Sequence, residues 1–280
     1  MRTRRPGFVA VALCFGFAFL YLPIFVLIVY SFNDSRLVSV WGGFSLRWYG
    51  ELLHNRQIID AALLSLRIAV TSATIATVLG TLTALALSRM GRFRGRLLLA
   101  GMIVAPLVMP EIVTGLSLLL LFVSMQDLLG WPRGRGATTI TLSHITFCMA
   151  YVAVIVQSRL AIMDNSLEEA ALDLGGRPFR VAIDITLPMI APAMLSGWLL
   201  AFTLSLDDLV ITTFVSGPGS STLPMVIFSK VRLGVTPDVN ALATIIIGVV
   251  SLGVFIAGWL LFRRERPVAA TPAQPAPSLS

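Results

Sequence analysis

Three carboxylates stand in stretches of sequence that are otherwise apolar: Glu111 in "APLVMPEIVTGLSLLLLF", and Asp207 with Asp208 in "AFTLSLDDLVITTFV". An ionised acid at the centre of a spanning helix costs roughly 2.5–3.5 kcal/mol on insertion scales. Such residues therefore face a bundle interior or a wet cavity and mark function by default. Two chemistries suit them: complementing a cation that crosses the membrane, or accepting backbone amides where a helix is broken. Successive helix residues point about 100° apart. Asp207 and Asp208 thus cannot both face one point, and one can line a path while the other makes a structural contact. Glu111 follows Pro106 and Pro110, where a helix is expected to break and the freed backbone groups need partners. No catalytic residue is expected. An adjacent aspartate pair on one span does not supply the two facing aspartates of an intramembrane protease. His144 beside Ser143 and Thr146 is no nucleophile–base pair, because helix neighbours do not face each other; its expected role is a hydrogen bond to a neighbouring span.

The elements that must position these groups are spanning helices. Of 280 residues, 56% are hydrophobic and 12% charged, and the mean hydropathy is +0.88; a soluble domain carries about 25% charged residues. Apolar runs of roughly 18 residues or more read as spans. Six occur, at 7–32, 68–88, 97–124, 138–157, 189–215 and 241–262. The expected fold is all-α, a polytopic membrane protein with six transmembrane helices in one domain over 7–265. The first run is too long for the apolar core of a signal peptide and is bulky to its end, so it reads as a retained anchor. The net charge of +7 is an orientation signal and not a nucleic-acid surface. Arg2, Arg4 and Arg5 precede the first span, and Arg89, Arg92, Arg94 and Arg96 crowd the connection "SRMGRFRGR" with no acid among them. Arg263, Arg264 and Arg266 follow the last span, and Arg159, Arg177 and Arg180 share the same side. This places both termini in the cytoplasm, with residues 1–6 as a short cytoplasmic N-terminus and the Pro/Ala/Ser-rich 266–280 as a disordered cytoplasmic tail. Cys14 and Cys148 fall inside predicted spans without paired spacing, so neither a disulfide nor a metal site is expected.

The most polar run, "NSLEEAALDLGGRPFRVAIDITLP" (165–188), lies in the cytoplasmic connection 158–188 between the fourth and fifth spans. Ser166 and Glu169 have the spacing of a capping box, and Glu168 and Glu169 suit the positive end of a helix dipole. Gly175 is placed to end that helix in the left-handed conformation, and Pro178 to open a second one. Small Ala170 and Ala171 leave room for another surface. The residues by themselves fit either a solvated connector or a docking helix.

Within this run Glu169, Ala170, Ala171, Gly175, Ile185, Leu187 and Pro188 fall in the pattern E-A-A-x3-G-x9-I-x-L-P. That pattern resembles the signature of the permease subunits of type I ABC importers. "LSLDDLVITTFVSGPGSSTLPMVIFSKVRLGVTPDVNALATI", "APLVMPEIVTGLSLLLLF" and "FSLRWYGELL" further resemble the polyamine branch, so the likeness covers nearly the whole chain up to its tail. The resemblance implies a bacterial inner-membrane subunit whose Glu169, Ala170, Ala171 and Gly175 form the coupling helix against a cytoplasmic ABC ATPase dimer. It implies a second, homologous permease and a periplasmic polyamine-binding protein. ATP and magnesium would reside on the ATPase, since this chain has no G-x-x-x-x-G-K-[ST] run and its single lysine, Lys230, sits in an expected external loop. Putrescine is the implied cargo, with spermidine or another small solute as the alternative. Its two ammonium groups on an apolar chain would be complemented by Asp207, Asp208 or Glu111. Ser166, Pro106, Pro110 and Pro188 are the expected capping and hinge positions. An ion-coupled secondary transporter would also account for the three acids, but it leaves the seven matched positions without a reason.

Overall fold

The computed structural model describes residues 6–37, 40–233 and 237–264. The expected N-terminal residues 1–5 with Arg2, Arg4 and Arg5, and the expected tail 266–280 with Arg266, lie outside the described residues. Helices run in the order α1 (Pro6–Tyr30), α2 (Arg47–His54), α3 (Arg56–Arg89), α4 (Arg96–Val108), α5 (Glu111–Leu129), α6 (Ala137–Ile162), α7 (Ser166–Asp173) and α8 (Pro178–Val181). A π-helical turn (Ala182–Thr186) follows, then α9 (Leu187–Asp207), α10 (Val210–Val215), α11 (Leu223–Leu233) and α12 (Pro237–Arg264). Among the described residues the only pairing of extended backbone is an isolated bridge between Asn33 and Phe44. Five helical stretches are long and apolar enough to cross a bilayer: Gly7–Tyr30, Arg56–Arg89, Glu111–Leu129, Ala137–Ile162 and Pro178–Asp207. Shorter apolar helices cover Arg96–Val108 and Pro237–Leu252. The chain is an all-helical, polytopic membrane protein.

It divides into two compact units, Met1–His54 with Leu233–Ser280, and Asn55–Arg232. In the first, α12 packs on α1 and α2. The α1 helix is apolar around its whole circumference and leaves large side chains such as Phe8 and Phe19 exposed, the pattern of a helix whose solvent is lipid. The segment that follows is organised by buried Asn33. Its Nδ2 donates to Val40 O at 2.7 Å, its Oδ1 accepts from Gly42 N at 2.7 Å, and its own carbonyl accepts from Trp48 Nε1 at 2.6 Å. That last bond docks the amphipathic α2 by its buried Trp48 and Leu52.

In the second unit, α3, α6 and α9 form the core. The face that α3 buries carries Ala69, Ala73, Ala76, Gly80 and Ala84, small residues at helical spacing that let backbones approach. The approach is closest around Val152 of α6. A Cβ added to Gly80 would lie 2.9 Å from Val152 and from Met149 O, and one added to Gly197 of α9 would lie 3.3 Å from Val152 Cγ1. Val152 is thus wedged between glycines of two other helices. Cys148, one turn earlier, is buried in the same core with Sγ 3.4 Å from Ala201 O.

Element boundaries depart from the apolar runs in three places. The second expected span begins 12 residues earlier, at Arg56, because Asn55 Oδ1 caps the helix through Ile58 N at 3.3 Å and the buried stripe continues through Ile58, Ala61 and Ser65 on a polar background. The third expected span is two helices. Met109 is extended (ψ 138°) and Pro110 holds ψ 137°, as expected for a proline and the residue before it, whereas Pro106 sits inside α4. The fifth divides near its end, at Asp208 and Leu209, leaving α10 as a separate short helix.

Gly80→Leu is expected to lower the thermal midpoint of the purified chain in detergent, because overpacking a close contact costs about 1–3 kcal/mol. Gly101→Leu, with nothing within 4 Å of its added Cβ, should leave the midpoint unchanged. Equal shifts for the two would show that the approach at Gly80 is not limiting.

Candidate functional site

The polar run between α6 and α9 is built around α7. Asp164 Oδ1 accepts the Ser166 amide at 2.9 Å. That amide first, and the Ser166 hydroxyl second, hold the exposed Asp164 carboxyl below the usual carboxylate range. This corrects the expected Ser166–Glu169 capping box. Ser166 is the first helical residue and not the cap, Asn165 before it makes no side-chain cap, and the Glu169 amide goes to Asn165 O at 3.0 Å. The reason is local: Asp164, two residues upstream at the distance of an Asx turn, takes the Ser166 amide that the Glu169 carboxylate would accept in a capping box.

The other end of α7 is closed by both glycines. Gly175 takes φ 85° and donates to Leu172 O, while Gly176 donates to Ala171 O, each at 2.9 Å; this pair of bonds is a Schellman motif. Gly176 is needed for space, since a Cβ there would lie 2.6 Å from Ala171 O. Pro178 then opens α8. Instead of ending in a loop, α8 passes through the π turn into α9, so Pro178–Asp207 is one continuous 30-residue helix. The connection between spans therefore stops near 177 and not at 188. Pro188, which has no amide to donate, sits in the first turn beyond the π turn.

Glu168 fastens this assembly. Its Oε2 lies 2.9 Å from Arg89 Nε at the end of α3, off the axis of a good hydrogen bond, while Arg89 Nη2 donates to Oε1 at 3.3 Å. Thr186 Oγ1 in the π turn donates to the same Oε1 at 2.8 Å. Of the residues expected to meet a partner, Glu169, Ala170 and Gly175 are exposed and Ala171 is half-buried. Beside them Leu174 and Phe179 are 89% and 78% exposed. Leu174 lies in the connection between spans, and Phe179 in the first turn of the long helix that follows it.

The three acids differ in their surroundings. Asp208, at the break after α9, accepts from Ile211 N at 3.3 Å, Thr212 N at 2.7 Å and Thr212 Oγ1 at 2.6 Å. Its Oδ2 also lies 3.2 Å from His144 Nε2. His144 reaches Thr212 Oγ1 at 3.0 Å through that same nitrogen and Ser205 Oγ at 2.7 Å through Nδ1, so its hydrogen bonds do run to a neighbouring helix. Asp208 thus accepts two amides in the first turn of α10, whose N-cap residue is Leu209. Asp207 is exposed and makes no hydrogen bond to another residue among the described ones. Glu111, exposed in the first turn of α5 just after Pro110, is the third acid.

Residues 76–266, which include α7 and both helix breaks, match the family described as the binding-protein-dependent transport system inner membrane component. The chain belongs to that family. This inner membrane component is 59% identical over 256 residues to the putrescine transport system permease protein PotI of Escherichia coli (strain K12), with 91% of each chain covered. It is 45% identical over 262 residues to the spermidine/putrescine transport system permease protein PotC of the same organism, covering 94% of this chain and 95% of that one. Its fold is similar to a chain of a bacterial ABC transporter involved in the import of the acidic polysaccharide alginate. There the TM-score is 0.72 at 16% identity, over 93% of this chain and 95% of the other. Membership sets aside the ion-coupled secondary transporter.

Several residues of this inner membrane component escaped the sequence reading. Glu168 and Glu169 are adjacent acids, and only the fold shows that one turns inward to Arg89 while the other stays open. Gly176 lies outside the seven-position pattern, although a second glycine after a helix stop was a usable signal. Thr212 and Ser205 carry no signal of their own; their partner His144 is more than 60 residues away.

Removing one partner of a half-buried charged hydrogen bond costs about 1–3 kcal/mol. Glu168→Ala and Arg89→Ala are each expected to lower the thermal midpoint of the purified chain in detergent. The Arg89→Glu/Glu168→Arg exchange should recover part of it. An exchange no better than either single change would show that the pair does not act as a unit.

Proposed function

We propose that this chain is the permease subunit through which a polyamine, putrescine first, crosses the bacterial inner membrane, driven by ATP hydrolysis on a separate cytoplasmic ATPase dimer. A periplasmic polyamine-binding protein delivers the substrate, and a second, homologous permease completes the path. The observation that carries this reading is α7: a helix closed at both ends that leaves Glu169, Ala170 and Gly175 open to a partner. The 59% identity with PotI supports putrescine as the cargo. The likeness to PotC, whose name gives both spermidine and putrescine, keeps spermidine as the second reading. In this topology six spans place both termini, the α3–α4 connection and α7 in the cytoplasm, with α12 as the sixth span. ATP and magnesium belong to the ATPase.

In this reading the coupling route runs along contacts of α7. A push on α7 reaches α3 through Glu168 and Arg89, and reaches α9 through Thr186 and the π turn. Of the three acids, Asp207 and Glu111 are the candidates for meeting an ammonium group, whereas the donors around Asp208 tie it to the helix break.

The reading is tested by reconstituting the chain with its ATPase, partner permease and binding protein, and measuring putrescine uptake against a competing panel of diamines and polyamines. ATP-dependent uptake displaced first by putrescine is expected. Uptake that follows the proton gradient, or ignores every polyamine, overturns it.

Asp207→Asn should lower uptake about tenfold or more, the worth of one hydrogen bond to a charge, at unchanged chain level. Unchanged uptake would remove Asp207 from the path.

Gly175→Val, a β-branched residue forced to positive φ, and Glu169→Lys should leave the chain inserted but hydrolysing ATP without transport. Normal transport in both would show that α7 is not the coupling element.

A further inference from the structure

We propose that the groove between α4, α6 and the end of α3 binds an anionic phospholipid of the inner leaflet, with its phosphate on Arg92 and Arg96 and an acyl chain along α4. Such a site presupposes the cytoplasmic α3–α4 connection proposed above. The groove encloses about 820 Å³, the size of a ligand pocket, and its chemistry is divided. Arg92, Arg96 and Gln157 bring N–H donors, while Leu97, Ile103 and Val104 form an apolar wall. From Leu97 to Val104 the α4 helix rises about 10 Å, enough to run from headgroup level into hydrocarbon.

The two arginines are poised differently. Arg96 Nη2 donates to Leu87 O at 2.9 Å, one of the carbonyls that the end of α3 leaves without a helical partner. That bond fixes the guanidinium and uses one of its five donors. Arg92 has no hydrogen bond or ion pair with any described residue. The connection contains four arginines and no acid, and of these arginines Glu168 pairs with Arg89 alone. Basic pockets between spanning helices on the cytoplasmic side suit anionic headgroups. A free phosphate would satisfy the arginines but leave the wall bare, and Leu97 there is 88% exposed. One molecule that carries both a phosphate and an acyl chain fits both halves.

The site is tested by titrating phosphatidylglycerol into the purified full chain in neutral detergent and counting retained lipid by native mass spectrometry. Phosphatidylcholine and inorganic phosphate serve as comparison probes. Phosphatidylglycerol should be retained over phosphatidylcholine, roughly fivefold less by Arg92→Ala or Arg96→Ala and roughly 25-fold less by both, the attraction expected of a basic residue near an anionic surface. Ala100→Trp, which fills the groove and keeps every arginine, should lose lipid as the double variant does. Arg94→Ala, outside the groove, should change nothing. Several outcomes overturn the site: lipid retained by the double variant, an equal loss in Arg94→Ala, displacement by inorganic phosphate, or crosslinking of Ala100→Cys to the partner permease within the assembled importer. Labelling of Arg94→Cys by a membrane-impermeant thiol reagent separately reports which side the connection lies on, and none of these readouts depends on transport.

Discussion

Hydrocarbon offers no hydrogen bonds, so each backbone group freed inside a bilayer must find its partner within the protein. This chain interrupts its apolar helices between α4 and α5 and between α9 and α10, and the packing of the second unit answers what those interruptions require. At the second, Asp208 accepts two amides and a hydroxyl, and His144 holds the same carboxylate from another helix. A carboxylate is costly in this setting, and its four neighbours are what make it tolerable. The proline break before Glu111 is simpler, because the residue at the break has no amide to satisfy.

Those contacts work only if the helices lie close. Without a hydrophobic drive between helices in lipid, close packing supplies much of the association. The stripe from Ala69 to Ala84 lets α3 approach α6, and Val152 fills the gap between Gly80 and Gly197. The same closeness brings the end of α3 beside the start of α9, within reach of Glu168.

Much of this was legible in the sequence. Apolar runs located the long apolar helices, prolines marked the break before α5, and the E-A-A pattern located α7, because each of these signals is local. What was hidden depends on distance or on competition. The twelve residues that lengthen α3 are polar enough to fall out of an apolar run, although one face of them stays buried. Ser166 looked like a cap until Asp164, two residues away, took the amide that Glu169 was expected to accept. The π turn has no signature that separates "AIDIT" from an ordinary helical turn. The division of labour between Asp207 and Asp208 was legible only as a statement that the two must differ; which one is occupied depends on His144, brought in by a different helix.

The absence of a loop between α8 and α9 gives Pro178–Asp207 the character of a lever arm. Thirty residues of continuous helix span about 45 Å, with the α7 junction at one end and the aspartates at the other. Tilting such a rod by about 5° about one end displaces the other by about 4 Å, by the geometry of its length. A displacement of that size exceeds the reach of the hydrogen bonds around Asp208. The short α10 lies beyond the break and is not part of that rod.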